Sequence, residues 1–203
     1  MADLRLLGPV QFWVAHKPVD VGPAKQRTVL AVLLVDAGRP VATDTLIDRV
    51  WGESPPASSR NGLYSYVARL RRVLRQASLG AAPVLLEYVP GGYRLDIDRH
   101  RVDLHQFHHL IEQAQRPGVT DEQRSSILEQ ANRLWRGEPL AGLSGEWAAR
   151  TRDLLAQQRL EVALSCSAMP PLRTNARSSG RHETRDVMRV WPCPSSRAEA
   201  CRG

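Results

Sequence analysis

Ser59-Arg60-Asn61-Gly62-Leu63-Tyr64-Ser65-Tyr66-Val67-Ala68-Arg69-Leu70-Arg71-Arg72-Val73-Leu74 is the stretch around which the chain is organised. On a helix, at about 100° per residue, Leu63, Tyr66, Val67, Leu70, Val73 and Leu74 form one apolar stripe, while Asn61, Ser65, Ala68, Arg69 and Arg72 point the other way. The first face requires a core. The second offers small polar groups flanked by guanidinium forks, which suit phosphates and the acceptor edge of guanine in a major groove. An Arg-rich face of this kind is also what a plain solvated surface looks like, so the flanking segments must decide.

Upstream, residues 43–52 read as a short helix: Thr43-Asp44-Thr45 supplies an N-cap and a first-turn acid, Leu46, Ile47, Val50 and Trp51 share a face, and Gly52 ends it. Ser54-Pro55-Pro56 then starts the next helix, proline being tolerated where its missing N–H costs nothing. Two helices a few residues apart make a helix-turn-helix candidate. Before them, residues 24–37 are dense in Val29, Leu30, Val32, Leu33 and Leu34 and are stopped by Gly38 and Pro40, the pattern of a buried central helix. Still earlier, Leu4, Leu6, Val10, Phe12, Val14, Val19 and Val21 recur at strand spacing between Gly8-Pro9 and a His16-Lys17-Pro18 turn, which predicts a short antiparallel sheet. Downstream, residues 84–89 and 93–97 flank Pro90-Gly91-Gly92, a β-hairpin. A hairpin directly after a recognition helix is a wing.

The charge distribution agrees. The 203 residues carry a net charge of +7, and residues 1–102 hold 14 Lys and Arg against 9 Asp and Glu. A basic N-terminal block fits a nucleic-acid partner. The middle block is mildly acidic. No apolar run approaches the roughly 18 to 20 residues of a membrane span, and no signal peptide is visible, so a cytoplasmic, nucleoid-associated protein with no membrane partner is expected. Cys166, Cys193 and Cys201 have no zinc or disulfide-framework spacing.

Strands, three helices and a terminal hairpin in this order resemble the winged helix of the OmpR type. Gly22-Pro23-Ala24-Lys25-Gln26-Arg27, Asp48-Arg49-Val50-Trp51-Gly52-Glu53, Pro55-Pro56-Ala57-Ser58-Ser59-Arg60-Asn61, Tyr66-Val67-Ala68-Arg69-Leu70-Arg71-Arg72 and Gly92-Tyr93-Arg94-Leu95 together resemble the Streptomyces antibiotic regulatory protein (SARP) family. Each motif is weak alone; five in order over about 95 residues are specific. In residues 103–165, Leu104, Phe107, Ile111 and Ala114 recur at helical spacing. Thr120-Asp121-Glu122-Gln123 forms a capping box for a helix expected to bury Ile127, Ala131, Leu134 and Trp135. Leu134-Trp135-Arg136-Gly137-Glu138-Pro139-Leu140, followed by Glu146-Trp147, is similar to the start of the family's bacterial transcriptional activation domain, a tetratricopeptide-like array that needs several stacked units.

The expected organisation is therefore an α+β winged helix-turn-helix domain over residues 1–99, a partial all-α, tetratricopeptide-like activation domain over 103–165, and a disordered tail over 166–203. The tail is a tract of Arg, Ser, Pro and Cys without sustained period. Its composition resembles a GC-rich gene translated out of frame, the mark of a frameshifted end to a longer regulator.

On the recognition helix Arg69 and Arg72 are candidates for guanine or phosphate, Asn61 for adenine and Ser65 for either, with Arg60 and Tyr64 on the flank. Arg94 in the wing is a phosphate or minor-groove candidate, or else a cross-strand partner of a carboxylate. Tyr66 and Tyr93 are read as core residues. Gly62 should cost about 1 kcal/mol inside a helix; it either allows close approach to DNA or is a tolerated weakness. His105, His108 and His109 lack the intervening Glu of a zinc-binding H-E-x-x-H and read as a polar helix face, with no metal or cofactor implied. No phosphate-binding loop and no nucleophile, base and orienter set occurs, so an enzyme is not expected. The resemblance implies a pathway-specific activator of a secondary-metabolite gene cluster that binds direct repeats in promoter double-stranded DNA, as a homodimer or in tandem, and recruits RNA polymerase. The alternative is a shortened interaction module, or inactive remnant, that binds another regulator without activating transcription.

Overall fold

Leu4 and Phe12 sit opposite each other in the first sheet, and both are buried. The computed structural model that shows this describes residues 2–77 and 84–167. Strands β1 (Ala2–Arg5), β2 (Gln11–Val14) and β3 (Lys17–Val19) form an antiparallel meander in sequence order. The turn lies one step earlier than expected: Ala15 and His16 take positive φ, and Lys17 and Pro18 belong to β3. Pro18 is accommodated because β3 is an edge strand, where a missing N–H breaks no ladder.

Helix α1 (Ala24–Val35) buries every residue from Thr28 to Leu34 and packs against α2 (Thr43–Trp51) and α3 (Ser59–Ala77). The predicted Thr43 cap is corrected: Ala42 occupies the cap position, makes no side-chain cap bond, and Thr43 is the first helical residue. The cause is Val41, whose N–H and carbonyl exchange paired bonds with Tyr93 at 2.8 and 2.9 Å and fix where the chain enters the helix. Strands β4 (Leu85–Val89) and β5 (Gly92–Asp96) form the hairpin, with Leu86 opposite Leu95 on the buried face and Glu87 opposite Arg94 on the outer face. Tyr93 is buried, as read, and its ring meets Tyr88 edge-on at 5.3 Å.

After a 3-10 turn at Arg99–Arg101 come α4 (Asp103–Ala114), α5 (Asp121–Arg133) and α6 (Glu146–Ser167). The Thr120–Gln123 capping box is present in both directions. Helix α5 closes at Arg133, so Trp135 lies beyond it and is held by the next turn, edge-on to Phe107 at 5.3 Å. Within α5 Leu128 and Ala131 are buried; Ile127 is half-buried.

The strands and the later helices are joined by one acidic side chain. Asp103 accepts from the Leu6 and Leu7 amides at 2.7 and 3.1 Å and from Leu104 at 2.8 Å, and it pairs with Arg136. The backbone continues the seam, Arg136 and Leu140 donating to the Leu7 and Leu6 carbonyls at 2.7 and 2.9 Å. Buried apolar residues run without interruption from Leu4 through Phe107 to Val162. No helix among the described residues is long and apolar enough to cross a membrane. Residues 168–203, and with them most of the expected disordered, frameshifted tail and two of the three cysteines, lie outside the described residues.

Candidate nucleic-acid interface

Helix α3 is set by its apolar stripe. Leu63, Val67, Leu70 and Leu74 are buried, and Tyr66 is half-buried in a stack on Trp51 with ring centroids 6.1 Å apart. Trp51 explains Gly62. A Cβ at Gly62 would lie 3.3 Å from the edge of the indole ring, so the glycine lets α2 pack closely on α3. Neither reading made from the sequence included this contact, because it joins residues on two helices. Lys25 tightens the same corner by donating to the Val50 carbonyl and lying 5.8 Å from the Trp51 ring centre.

With that stripe inward, Asn61, Ser65, Ala68, Arg69 and Arg72 are all exposed on one side, and Arg60 and Tyr64 are exposed on its flank. The helix runs three residues past the predicted Leu74 and adds Arg75 and Gln76 to the exposed set. Among the described residues, no carboxylate pairs with Arg69 or Arg72. The neighbouring Arg71 has a different job. It is half-buried, its Nε donates to the Leu86 carbonyl at 2.7 Å, and it lies 5.9 Å from the Tyr93 ring centre, which ties α3 to the hairpin.

Four of the proposed contacts, Arg60, Tyr64, Ser65 and Arg94, have partners within the chain. Arg60 pairs with Asp44 at 2.6 Å, and its guanidinium is raised above its ordinary value by the bond with Tyr64 first and the Asp44 charge second. Ser65 Oγ donates to the Asn61 carbonyl at 3.0 Å, one turn back. Arg94 is paired across the hairpin with Glu87 at 3.3 Å, the cross-strand alternative weighed above. Thus Asn61, Ser65, Arg69 and Arg72 share one helix face, and Arg94 sits apart in the wing.

The three histidines are each engaged: His105 Nε2 donates to the Leu34 carbonyl at 2.8 Å, His108 meets Gln158 at 3.0 Å and His109 meets Gln113 at 2.8 Å. Among the described residues no group of three or more His, Cys, Asp or Glu is arranged to hold a metal ion.

Comparison with known proteins bears on this architecture. Residues 17–95 match the family model described as transcriptional regulatory protein, C terminal, and residues 102–183 match the bacterial transcriptional activator domain. The second match runs past the Ser165 end assigned from helical periodicity. RedD of Streptomyces coelicolor, named as a transcriptional regulator, is 35% identical over 164 residues, which is 80% of this chain and 47% of RedD. The chain belongs to the SARP family. EmbR of Mycobacterium tuberculosis, named as a transcriptional regulatory protein, is 40% identical over 147 residues, 70% of this SARP chain and 37% of EmbR. A solved structure of Mycobacterium tuberculosis EmbR in complex with a low-affinity phosphopeptide superposes with a TM-score of 0.72 at 32% identity, covering 82% of this chain and 44% of the other. The SARP chain thus spans less than half the length of these relatives. They are named as regulators, not as enzymes.

Proposed function

We propose that this SARP-family chain is a sequence-specific DNA-binding transcriptional regulator, and that α3 lies in the major groove with the β4–β5 hairpin against the adjacent backbone. The observation that carries this reading is the outward face of α3, where two guanidiniums without carboxylate partners, Arg69 and Arg72, stand beside Asn61 and Ser65. Arg69 and Arg72 serve guanine or phosphate, Asn61 adenine and Ser65 either, by donor and acceptor geometry. Arg60 and Tyr64 contact the flanking phosphates, and Arg94 reaches the backbone or minor groove after exchanging Glu87 for phosphate.

In this reading residues 1–99 bind DNA and residues 103–165 form the first part of an activation domain. The finer proposal is an activator of a secondary-metabolite gene cluster that binds promoter direct repeats, in tandem or as a homodimer, and contacts RNA polymerase in the cytoplasm. Gel shifts with direct-repeat promoter DNA at graded salt test it. A steep salt dependence together with sequence preference supports the reading, because phosphate contacts release counterions and base contacts discriminate. Absence of any specific shift at low salt defeats it and leaves the interaction module.

A further inference from the structure

A cavity of about 440 Å³ opens where the end of α1 meets the 3-10 turn and α4. Two guanidiniums, Arg39 and Arg99, line it, together with the imidazoles of His100, His105, His108 and His109. Glu112 is the one carboxylate in the lining. The wall is built. Arg99 is fixed by two bonds from its guanidinium to the Ala37 carbonyl, at 2.9 and 3.1 Å. His105 is fixed by Leu34, and the His100 and His109 rings meet edge-on at 5.0 Å. Arg39 is exposed, and no carboxylate among the described residues pairs with its guanidinium.

Arginine offers a planar fork of donors and imidazole a directed N–H, the two donor types that match oxyanions. Two permanent positive charges and four imidazoles around a single carboxylate leave a positive surplus that this wall does not itself neutralise. The volume suits a small ligand. We infer that this cavity binds a compact multivalent oxyanion, held by Arg39 and Arg99 and oriented by His100 and His109. Such an anion joins the end of α1, which packs on α3, to α4 of the activator domain. The inference does not depend on α3 reading DNA.

The test is calorimetric titration of the full chain with pyrophosphate and, separately, with citrate. Saturable binding of either at one site is expected, pyrophosphate alone assigning the phosphate class and citrate alone the carboxylate class. Arg39→Ala should weaken binding at least about tenfold and Arg39→Lys by less, while an Arg69→Ala/Arg72→Ala pair leaves it unchanged. Histidine-selective NMR at saturation should move the His100 and His109 ring signals. Saturable binding of neither anion, an unaltered affinity in Arg39→Ala, or loss of binding in the α3 pair instead would each overturn the assignment.

Discussion

Gly92 faces the Val41 carbonyl so closely that a Cβ built on it would lie 2.0 Å from that oxygen. The contact belongs to the paired bonds between Val41 and Tyr93 that seat the wing on the segment entering α2. Gly92 also holds a φ of +139°. Since the obstacle is backbone, it cannot rotate away. Gly92→Ala should lower the unfolding free energy by about 3 kcal/mol or more. The neighbouring Gly91 has a φ of +95° but nothing within 4 Å, so Gly91→Ala should cost about 1 to 2 kcal/mol from backbone strain alone. Urea denaturation of the two variants, side by side, checks the order; equal losses would discredit the close approach.

Asp103 invites a second measurement. Burial pushes its carboxyl up, while the Leu6 and Leu7 amides and the Arg136 charge pull it down. Asp103→Ala removes the acceptor from the two amides that follow β1, those of Leu6 and Leu7, and leaves Arg136 without its partner. Each buried donor left unsatisfied costs about 1 to 3 kcal/mol, so a loss of about 3 kcal/mol or more is expected. Asp103→Asn keeps an acceptor oxygen and should lose less. If both variants unfold at the wild-type urea midpoint, the seam contributes nothing to stability.

Three consecutive-looking arginines should separate into two classes. Arg69→Ala and Arg72→Ala should each weaken specific DNA binding by about 1 to 3 kcal/mol if they read bases, with little change in thermal stability. Arg71→Ala should do the reverse, because it strips a half-buried carbonyl, that of Leu86, of its donor and costs about 1 to 2 kcal/mol of fold stability. Binding and melting measured on the same three proteins decide the matter. DNA affinity unchanged in both Arg69→Ala and Arg72→Ala would refute the choice of helix face.

Asp44 is the carboxylate nearest the proposed phosphate contacts, paired with Arg60 at 2.6 Å on an exposed surface. An exposed pair of this kind adds little to stability. Its negative charge, though, opposes an approaching phosphate and occupies Arg60. Asp44→Asn should therefore tighten DNA binding and steepen its salt dependence by about one counterion, leaving the melting temperature near that of the wild type. Weaker binding would mean that Asp44 instead orients Arg60 for its contact.

What was legible in the sequence was whatever repeats locally. The α3 stripe is a 3.6-residue pattern, and Leu63, Val67, Leu70 and Leu74 are buried as that pattern requires. The Thr120–Gln123 capping box spans four residues and is present. What escaped depends on residues far apart in the chain. Gly62 is explained by Trp51 on another helix, the shifted start of α2 by Tyr93 in the hairpin, and the role of Asp103 by amides 96 and 97 positions away. Arg71 and Arg72 are adjacent and chemically identical, yet 100° of helix rotation sends one to the Leu86 carbonyl and the other outward. For Arg94 the sequence left two readings open, since register alone determines whether Glu87 lies opposite.

His105 couples this junction to pH. Burial lowers its imidazole below the ordinary histidine value; the bond to the Leu34 carbonyl opposes that shift, and the positive charges of Arg99 and Arg39 and the neighbouring His108 reinforce it. The folded chain therefore keeps His105 neutral at a pH where the unfolded chain has taken a proton. With the folded value depressed, the unfolded state binds more protons in that window, so stability rises with pH. The contribution is present above the unfolded value of about 6.5 and is lost as pH falls through it towards the folded one. Urea midpoints at pH 7.5 and pH 5.5 should differ in the wild type. In His105→Gln, whose amide can still donate to Leu34, the difference should shrink because no proton is taken up at that position. An identical pH slope in the two proteins would show that His105 does not carry the linkage; the Asp103–Arg136 seam could not supply it, because burial raises the Asp103 carboxyl and that shift favours the fold as pH falls.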